Sequence, residues 1–178
     1  MEKKKDPSRI FHNKIKNLLQ KAGFEVLKDN YYSPGADIIV GSESIKLLIQ
    51  CKCAHTPDKT FPIEKLIDEY SKKAEREGAH RSILAISGYS IPKKHMQEED
   101  KYKRAIFDKV VVWDDQYIEY LEEVVNALGK WAKYSVLGDL EITEKFGGPI
   151  KSPFLKITQG DFDFFVFRIS PEELLKIS

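Results

Sequence analysis

Gly35-Ala-Asp-Ile-Ile-Val-Gly-Ser-Glu-Ser-Ile-Lys-Leu-Leu-Ile-Gln-Cys-Lys-Cys53 reads as two apolar strands joined by a Gly41-Ser42-Glu43-Ser44 loop. Three polar residues interrupt the apolar pattern: Asp37 on the first strand, Gln50 and Lys52 on the second. With residues 41–44 as the loop, Val40 pairs with Ile45, Asp37 faces Leu48 and lies diagonal to Gln50. Opposed and diagonal residues share a face of the pleat, so Asp37, Gln50 and Lys52 are expected together. The other face of the second strand carries Ile45, Leu47, Ile49, Cys51 and Cys53, none of them charged. A carboxylate and an amide oxygen converging beside an ammonium offer a seat for a hard cation and an activated water.

Outward from this hairpin the chain alternates helical and extended patterns. Asp6 caps an expected first helix with Pro7 in its first turn and Gly23 at its end. Phe11, Ile15, Leu18, Leu19 and Ala22 recur at helical spacing and would face a sheet. Phe24 to Lys28 is the first strand, and His55 to Thr60 is a polar loop. Pro62 opens a helix with the apolar stripe Ile63, Leu66, Ile67, Tyr70 and Ala74, closed by Gly78. A strand over Ser82–Ser87, a charged helix over 93–106 and a strand over Val110–Trp113 follow. Asp114 or Asp115 then caps a helix running to Gly129. The expected fold is an α/β sandwich whose strand–helix–strand part is parallel, because a crossover helix permits it.

The pattern resembles the PD-(D/E)XK nuclease superfamily, in which an Asp starts one strand and Glu-x-Lys or Gln-x-Lys sits on the next. Pro34 to Asp37 and Gln50-Cys51-Lys52 carry the resemblance. The Gln-Cys-Lys form is most similar to Mrr-type restriction endonucleases, with archaeal Holliday junction resolvases as near relatives. Phe11 to Phe24, Ser82 to Ser90 and Val110 to Leu121 look like further elements of that fold, so about residues 9–125 are covered. The resemblance implies a restriction-endonuclease-like mixed central sheet flanked by helices, and metal-dependent hydrolysis of DNA phosphodiester bonds. It implies Mg²⁺ or Mn²⁺ held by Asp37, the Gln50 side-chain oxygen and the Cys51 backbone carbonyl, with Lys52 orienting or activating the water. In this family the first helix usually carries a Glu eleven residues before the Gly of Gly-Phe; here that position is His12. Histidine is a softer ligand than carboxylate and suits manganese or other transition ions better than magnesium.

The flanking residues admit two readings each. Asp37 could instead be a turn carboxylate, and Gln50 and Lys52 the polar side of a half-buried strand. Tyr31 and Tyr32 could stack on a base or cover the core. Lys93, Lys94 and the run Lys101, Lys103 and Arg104 would contact phosphates or form solvated helix faces. His55, His80 and His95 have no partner pattern.

At 178 residues the chain suits one domain with a sizeable core. Twenty-nine Lys and Arg against 28 Asp and Glu give a net charge of +1, so nucleic-acid binding must rest on a local patch. No apolar run has the length of a membrane span, and Met-Glu-Lys-Lys-Lys lacks a signal peptide's apolar core, so a cytoplasmic, membrane-free protein is expected. Cys51 and Cys53 read as buried thiols in a reducing compartment, because a lone Cys-x-Cys lacks the second pair of a zinc site. The nuclease-like core spans 6–145, and Phe146-Gly147-Gly148-Pro149 opens a C-terminal part over 146–178. There, strands over Phe154–Thr158 and Phe162–Ile169 surround Gln159-Gly160-Asp161, and Ser170-Pro171-Glu172-Glu173 resembles a capping box of a short terminal helix. Bulky residues on both faces of Phe162–Ile169 point to packing on the domain or to a homodimer contact. The alternatives to an enzyme are a nuclease-fold DNA-binding module without catalysis and an assembly protein acting through its aromatic hairpin.

Overall fold

A computed structural model describes residues 6–31, 37–42, 45–54, 56, 59–91, 106–107, 109–140, 154–159 and 162–167. In chain order the elements are α1 (Pro7–Lys21), β1 (Glu25–Asp29), β2 (Ile38–Ser42), β3 (Ile45–Cys53), β4 (Lys59–Thr60), α2 (Ile63–Arg76), β5 (Arg81–Ser87) and β6 (Tyr89–Ser90). Then follow β7 (Ile106–Phe107), β8 (Val110–Trp113), α3 (Asp115–Leu128), a 3₁₀ turn (Gly129–Trp131), α4 (Ala132–Asp139), β9 (Phe154–Gln159) and β10 (Phe162–Phe167). The chain divides into two compact units, Met1–Lys133 and Tyr134–Ser178. In the second, β9 and β10 pair antiparallel from Phe154↔Phe167 to Gln159↔Phe162.

The first unit is a mixed sheet in the order β1-β2-β3-β5-β8-β7, flanked by helices. The β1–β2–β3 meander is antiparallel, β3–β5–β8 is parallel, and β7 closes the edge antiparallel to β8. The parallel pairing follows from α2, which carries the chain from the end of β3 back to the start of β5. The α2 face of the sheet buries Ile39, Leu48, Leu84, Ile86, Val110 and Val112 against Phe61, Ile63, Tyr70 and Ala74 of the α2 segment. Strand alternation sends Leu47, Ile49, Ile83, Val111 and Trp113 to the opposite face. There α1 packs on β3, and α3 on β8. Each fully buried Leu, Ile or Val contributes about 1.5–3 kcal/mol of transfer free energy, so these two layers fix the sheet's register.

Local signals set the helix ends. Asp6 caps α1 by accepting from the Ser8 N–H at 3.1 Å, and Pro7 occupies the first turn. Asp114 caps α3 by accepting from Tyr117 N at 2.9 Å. Gly23 follows α1 at φ 99°, and a Cβ there would sit 2.3 Å from the Lys130 carbonyl oxygen. Only glycine fits both that backbone and that approach.

Several expectations are corrected. Gly41 and Ser42, expected in the hairpin loop, belong to β2, and Ser42 pairs with Ile45. The register thereby moves by two residues, which preserves the face each side chain occupies. The first strand is Glu25–Asp29, one residue later than the apolar run suggested. Lys59–Thr60, expected as loop, pairs in parallel with Tyr89–Ser90 as a second small sheet. Ile106, expected to end a charged helix, lies in β7. The remainder of that helix, Lys93, Lys94, Lys101, Lys103, Arg104, Tyr32, the 146–149 break and the Ser170–Glu173 capping box lie outside the described residues. No helix among the described residues is long and apolar enough to cross a membrane.

Candidate functional site

Asp37 stands one residue before β2, at the end of the β2–β3 pair. Ile38 pairs with Ile49, so continuing the register places Asp37 directly opposite Gln50. Its Oδ2 accepts from Gln50 Nε2 at 2.7 Å and from the Cys51 backbone N–H at 2.8 Å. The carboxylate thus does for Cys51 what a backbone carbonyl does further along the ladder. In a strand the N–H and C=O of one residue point the same way, so the Cys51 carbonyl lies on this same edge, past the last β2 residue paired with β3.

An ionised carboxylate only accepts, so the amide nitrogen of Gln50 must face Asp37. Gln50 Oε1 is then turned away; it is buried and has no hydrogen-bond partner among the described residues. A buried acceptor of this kind is costly unless something satisfies it. Asp37, Gln50 Oε1 and the Cys51 carbonyl supply oxygens only, a donor set that fits a hard divalent cation.

Lys52 shares the face of Leu48 and Gln50, as its strand position requires, and is half-buried. The helix α2 brings two further groups to this face, Tyr70 and Lys73, with the Lys73 ammonium 4.9 Å from the Tyr70 ring centroid. Burial lowers the Lys73 pKa; the Glu69 and Asp37 charges oppose that shift, while Lys52 and Arg76 reinforce it. Burial also raises the Tyr70 hydroxyl pKa, with the Glu69 and Asp37 charges adding to the effect. The phenol therefore stays protonated as a donor. Sequence reasoning treated Tyr70 as core and passed over Lys73. The signal was there: Lys73 lies three residues after Tyr70, on the side of the helix that meets the sheet.

On the opposite side α1 delivers His12, only 2% exposed. Its Nε2 lies 2.7 Å from Asp29 Oδ1, while Lys16 Nζ holds Asp29 Oδ2 at 2.8 Å. Burial opposes ionisation of Asp29, but hydrogen bonds and charge from Lys16 and His12 outweigh it, and its pKa is lowered. The Tyr31 ring meets His12 edge-on, with centroids 5.2 Å apart, and its hydroxyl donates to Asp6. His12, Asp37 and Cys51 each bring one donor atom to within 4.8 Å of the others. Both cysteines are free and half-buried as residues, with the Cys51 thiol itself deep in the protein as expected and the Cys53 thiol nearer the surface. Burial raises the Cys51 pKa well above normal; the Asp37 and Asp29 charges add to this and Lys52 opposes it.

His80, which has no pattern in sequence, is structural. Its Nδ1 accepts from Lys46 N at 3.1 Å, and its own N–H donates to the Lys46 carbonyl at 2.8 Å. This clamps the start of β3 to the turn before β5. No protein-family model matches the chain, and no curated protein matches it.

Proposed function

We propose that this chain is a metal-dependent endonuclease of restriction-endonuclease-like architecture that hydrolyses DNA phosphodiester bonds, in the manner of Mrr-type enzymes or junction resolvases. The observation that carries the reading is the Asp37–Gln50–Cys51 arrangement. One carboxylate is fixed by two donors beside a buried, unpartnered amide oxygen, on the sheet face that also holds Lys52.

Asp37, Gln50 Oε1 and the Cys51 carbonyl would hold Mg²⁺ or Mn²⁺. Such an ion supplies Lewis acidity, lowering the pKa of water and offsetting charge that builds on the phosphoryl oxygens. Lys52 orients the attacking water and stabilises that charge from the protein side. Lys73, already depressed by burial, adds a second cation on the same face, and the protonated Tyr70 hydroxyl adds a donor. The low-dielectric wall of Leu48, Leu84 and Ile86 strengthens each of these interactions relative to water. Residues outside the described segments, including Lys101, Lys103 and Arg104, would contact the phosphate backbone without reading sequence. The hairpin β9–β10 is the appended element of this fold and the candidate homodimer contact.

A second reading has one observation in its favour. His12 stands where the nucleases that the sequence resembles usually carry a Glu, and its Nε2 is committed to Asp29, leaving Asp37 as the carboxylate of the oxygen set among the described residues. A nuclease-fold DNA-binding module would look like this. Cleavage assays with Mg²⁺ and Mn²⁺ on linear, nicked and four-way DNA separate the two. The enzyme nicks DNA, and Asp37→Ala and Lys52→Ala abolish nicking. A binding module retains DNA with no metal-dependent nicking, and an assembly protein oligomerises without binding DNA.

A further inference from the structure

We propose that His12, Asp37 and Cys51 form a binding site for a borderline-soft divalent ion, Zn²⁺ foremost, using side-chain nitrogen, oxygen and sulfur. This set shares Asp37 with the oxygen set that would hold magnesium, and replaces the Gln50 oxygen and the Cys51 carbonyl by a His12 ring nitrogen and the Cys51 sulfur. It stands on geometry, whether or not the chain cuts DNA.

The three donor atoms already lie within 4.8 Å of one another, before any ion draws them together. A tetrahedral zinc ion with Zn–N and Zn–O near 2.0 Å and Zn–S near 2.3 Å needs donors about 3.3–3.5 Å apart. Side-chain adjustment of about an ångström meets that requirement. The donors come from three places in the fold: α1, the residue before β2, and the C-terminal part of β3. Cys51 points to the α1 face because strand alternation puts it opposite Gln50 and Lys52. His12 reaches the same place because it is buried on α1 next to Phe11.

The state of His12 is the second, independent observation. Nδ1 is buried and has no hydrogen-bond partner among the described residues, whereas Nε2 is held at 2.7 Å by Asp29. Asp29 can only accept, so Nε2 carries the proton, and in the neutral ring the lone pair is left on Nδ1. A carboxylate holding one ring nitrogen and leaving the lone pair on the other is the outer-shell arrangement of metal-bound histidines. Lys16 in turn fixes Asp29 through its second oxygen at 2.8 Å. Three protein ligands leave one coordination position open, as in zinc sites that do chemistry rather than those that only hold a fold. Cys53 is not among the three donors; the ligands that Cys51 lacks in the local sequence come from His12 and Asp37.

Cobalt substitution tests this directly. The full-length protein, stripped of metal and titrated with Co²⁺, should take up one equivalent with thiolate-to-cobalt charge-transfer absorption, and Zn²⁺ should displace it. Cys51→Ser should lose the charge-transfer band, and Cys53→Ser should keep it. Asp29→Asn should keep the band while weakening zinc binding by about 10- to 100-fold. No charge-transfer band in the wild-type protein overturns the proposal, and that measurement needs no variant to fold. A band that survives Cys51→Ser, or that is lost in Cys53→Ser, also overturns it. Because DNA cleavage is not the readout, zinc binding without cleavage keeps this inference and defeats the previous one, and cleavage without zinc binding does the reverse.

Discussion

The Gln50 side-chain amide donates to Asp37 Oδ2 at 2.7 Å, which makes the two residues one hydrogen-bonded unit. An oxygen-bound cation bridging both must therefore work with Oε1 on the far side of the amide, or turn the amide over. Replacing the amide by a carboxylate removes the choice. Gln50→Glu sets two carboxylates in contact, so one must stay protonated or both must share a cation. Metal-free, the variant should lose about 1–3 kcal/mol of stability at neutral pH. Mg²⁺ should raise its Tm by more than it raises that of the wild type. Thermal melts with and without the ion check this, and equal Mg²⁺ responses would count against an oxygen-donor site.

Lys52 and Asp37 should separate stability from activity. Asp37→Ala leaves the Cys51 N–H and the Gln50 amide without their acceptor, costing about 1–3 kcal/mol in addition to abolishing cleavage. Lys52 makes no comparable bond among the described residues, so Lys52→Ala should abolish cleavage while the Tm moves little. Denaturant melts run beside the cleavage assay would expose an error if the stability order were reversed.

The cationic α2 residue predicts a salt effect. If Lys73 meets a phosphate, Lys73→Met should weaken DNA binding about equally across sequences and lower the slope of log K against log salt by about one. An unchanged slope in binding isotherms at several salt concentrations would assign Lys73 to the fold alone.

How much of this was legible in the chain depends on the residue. The caps Asp6 and Asp114, the breaks at Gly23 and Gly78, and the alternation of β3 are local, and each appears where sequence puts it. The two-residue change in hairpin register was not legible, because Gly41-Ser42 reads as turn and is strand only through pairing with Ile45 and Lys46. Parity survived, and Asp37, just before β2, meets Gln50 through a hydrogen bond of 2.7 Å. The short strand β4 has no hydrophobic signature, since Lys59 and Thr60 are exposed. His12 was placed by its helical register, but its bond to Asp29 joins residues seventeen apart through packing that no periodicity encodes.

Asp29 gives a pH prediction with a definite sign. Its folded pKa lies below the ordinary 3.8, so its stabilising effect is present above that value and lost as pH falls through the folded pKa. Asp29→Asn should flatten the fall of Tm in that acid range and lower Tm near neutrality. A variant whose acid limb matches the wild type would show that the Lys16 and His12 contacts are not energetically coupled to it.

Two glycines offer a matched comparison. Gly78 has φ 65° with nothing within 4 Å of an added Cβ, so Gly78→Ala should cost only the left-handed backbone penalty of about 1–2 kcal/mol. Gly23→Ala meets that penalty and also the Lys130 carbonyl oxygen at 2.3 Å, so it should cost more. Equal losses in urea melts would mean that the segment after α3 yields easily.

Where β2 stops, the Asp37 side chain carries the ladder one rung further, onto the Cys51 amide. The exchange rate of that single amide hydrogen thus reports on the carboxylate's whereabouts in solution. Any ligand that pulls the acid off its perch should unlock the proton, so an isotope-labelled spectrum becomes an occupancy gauge that requires no substrate.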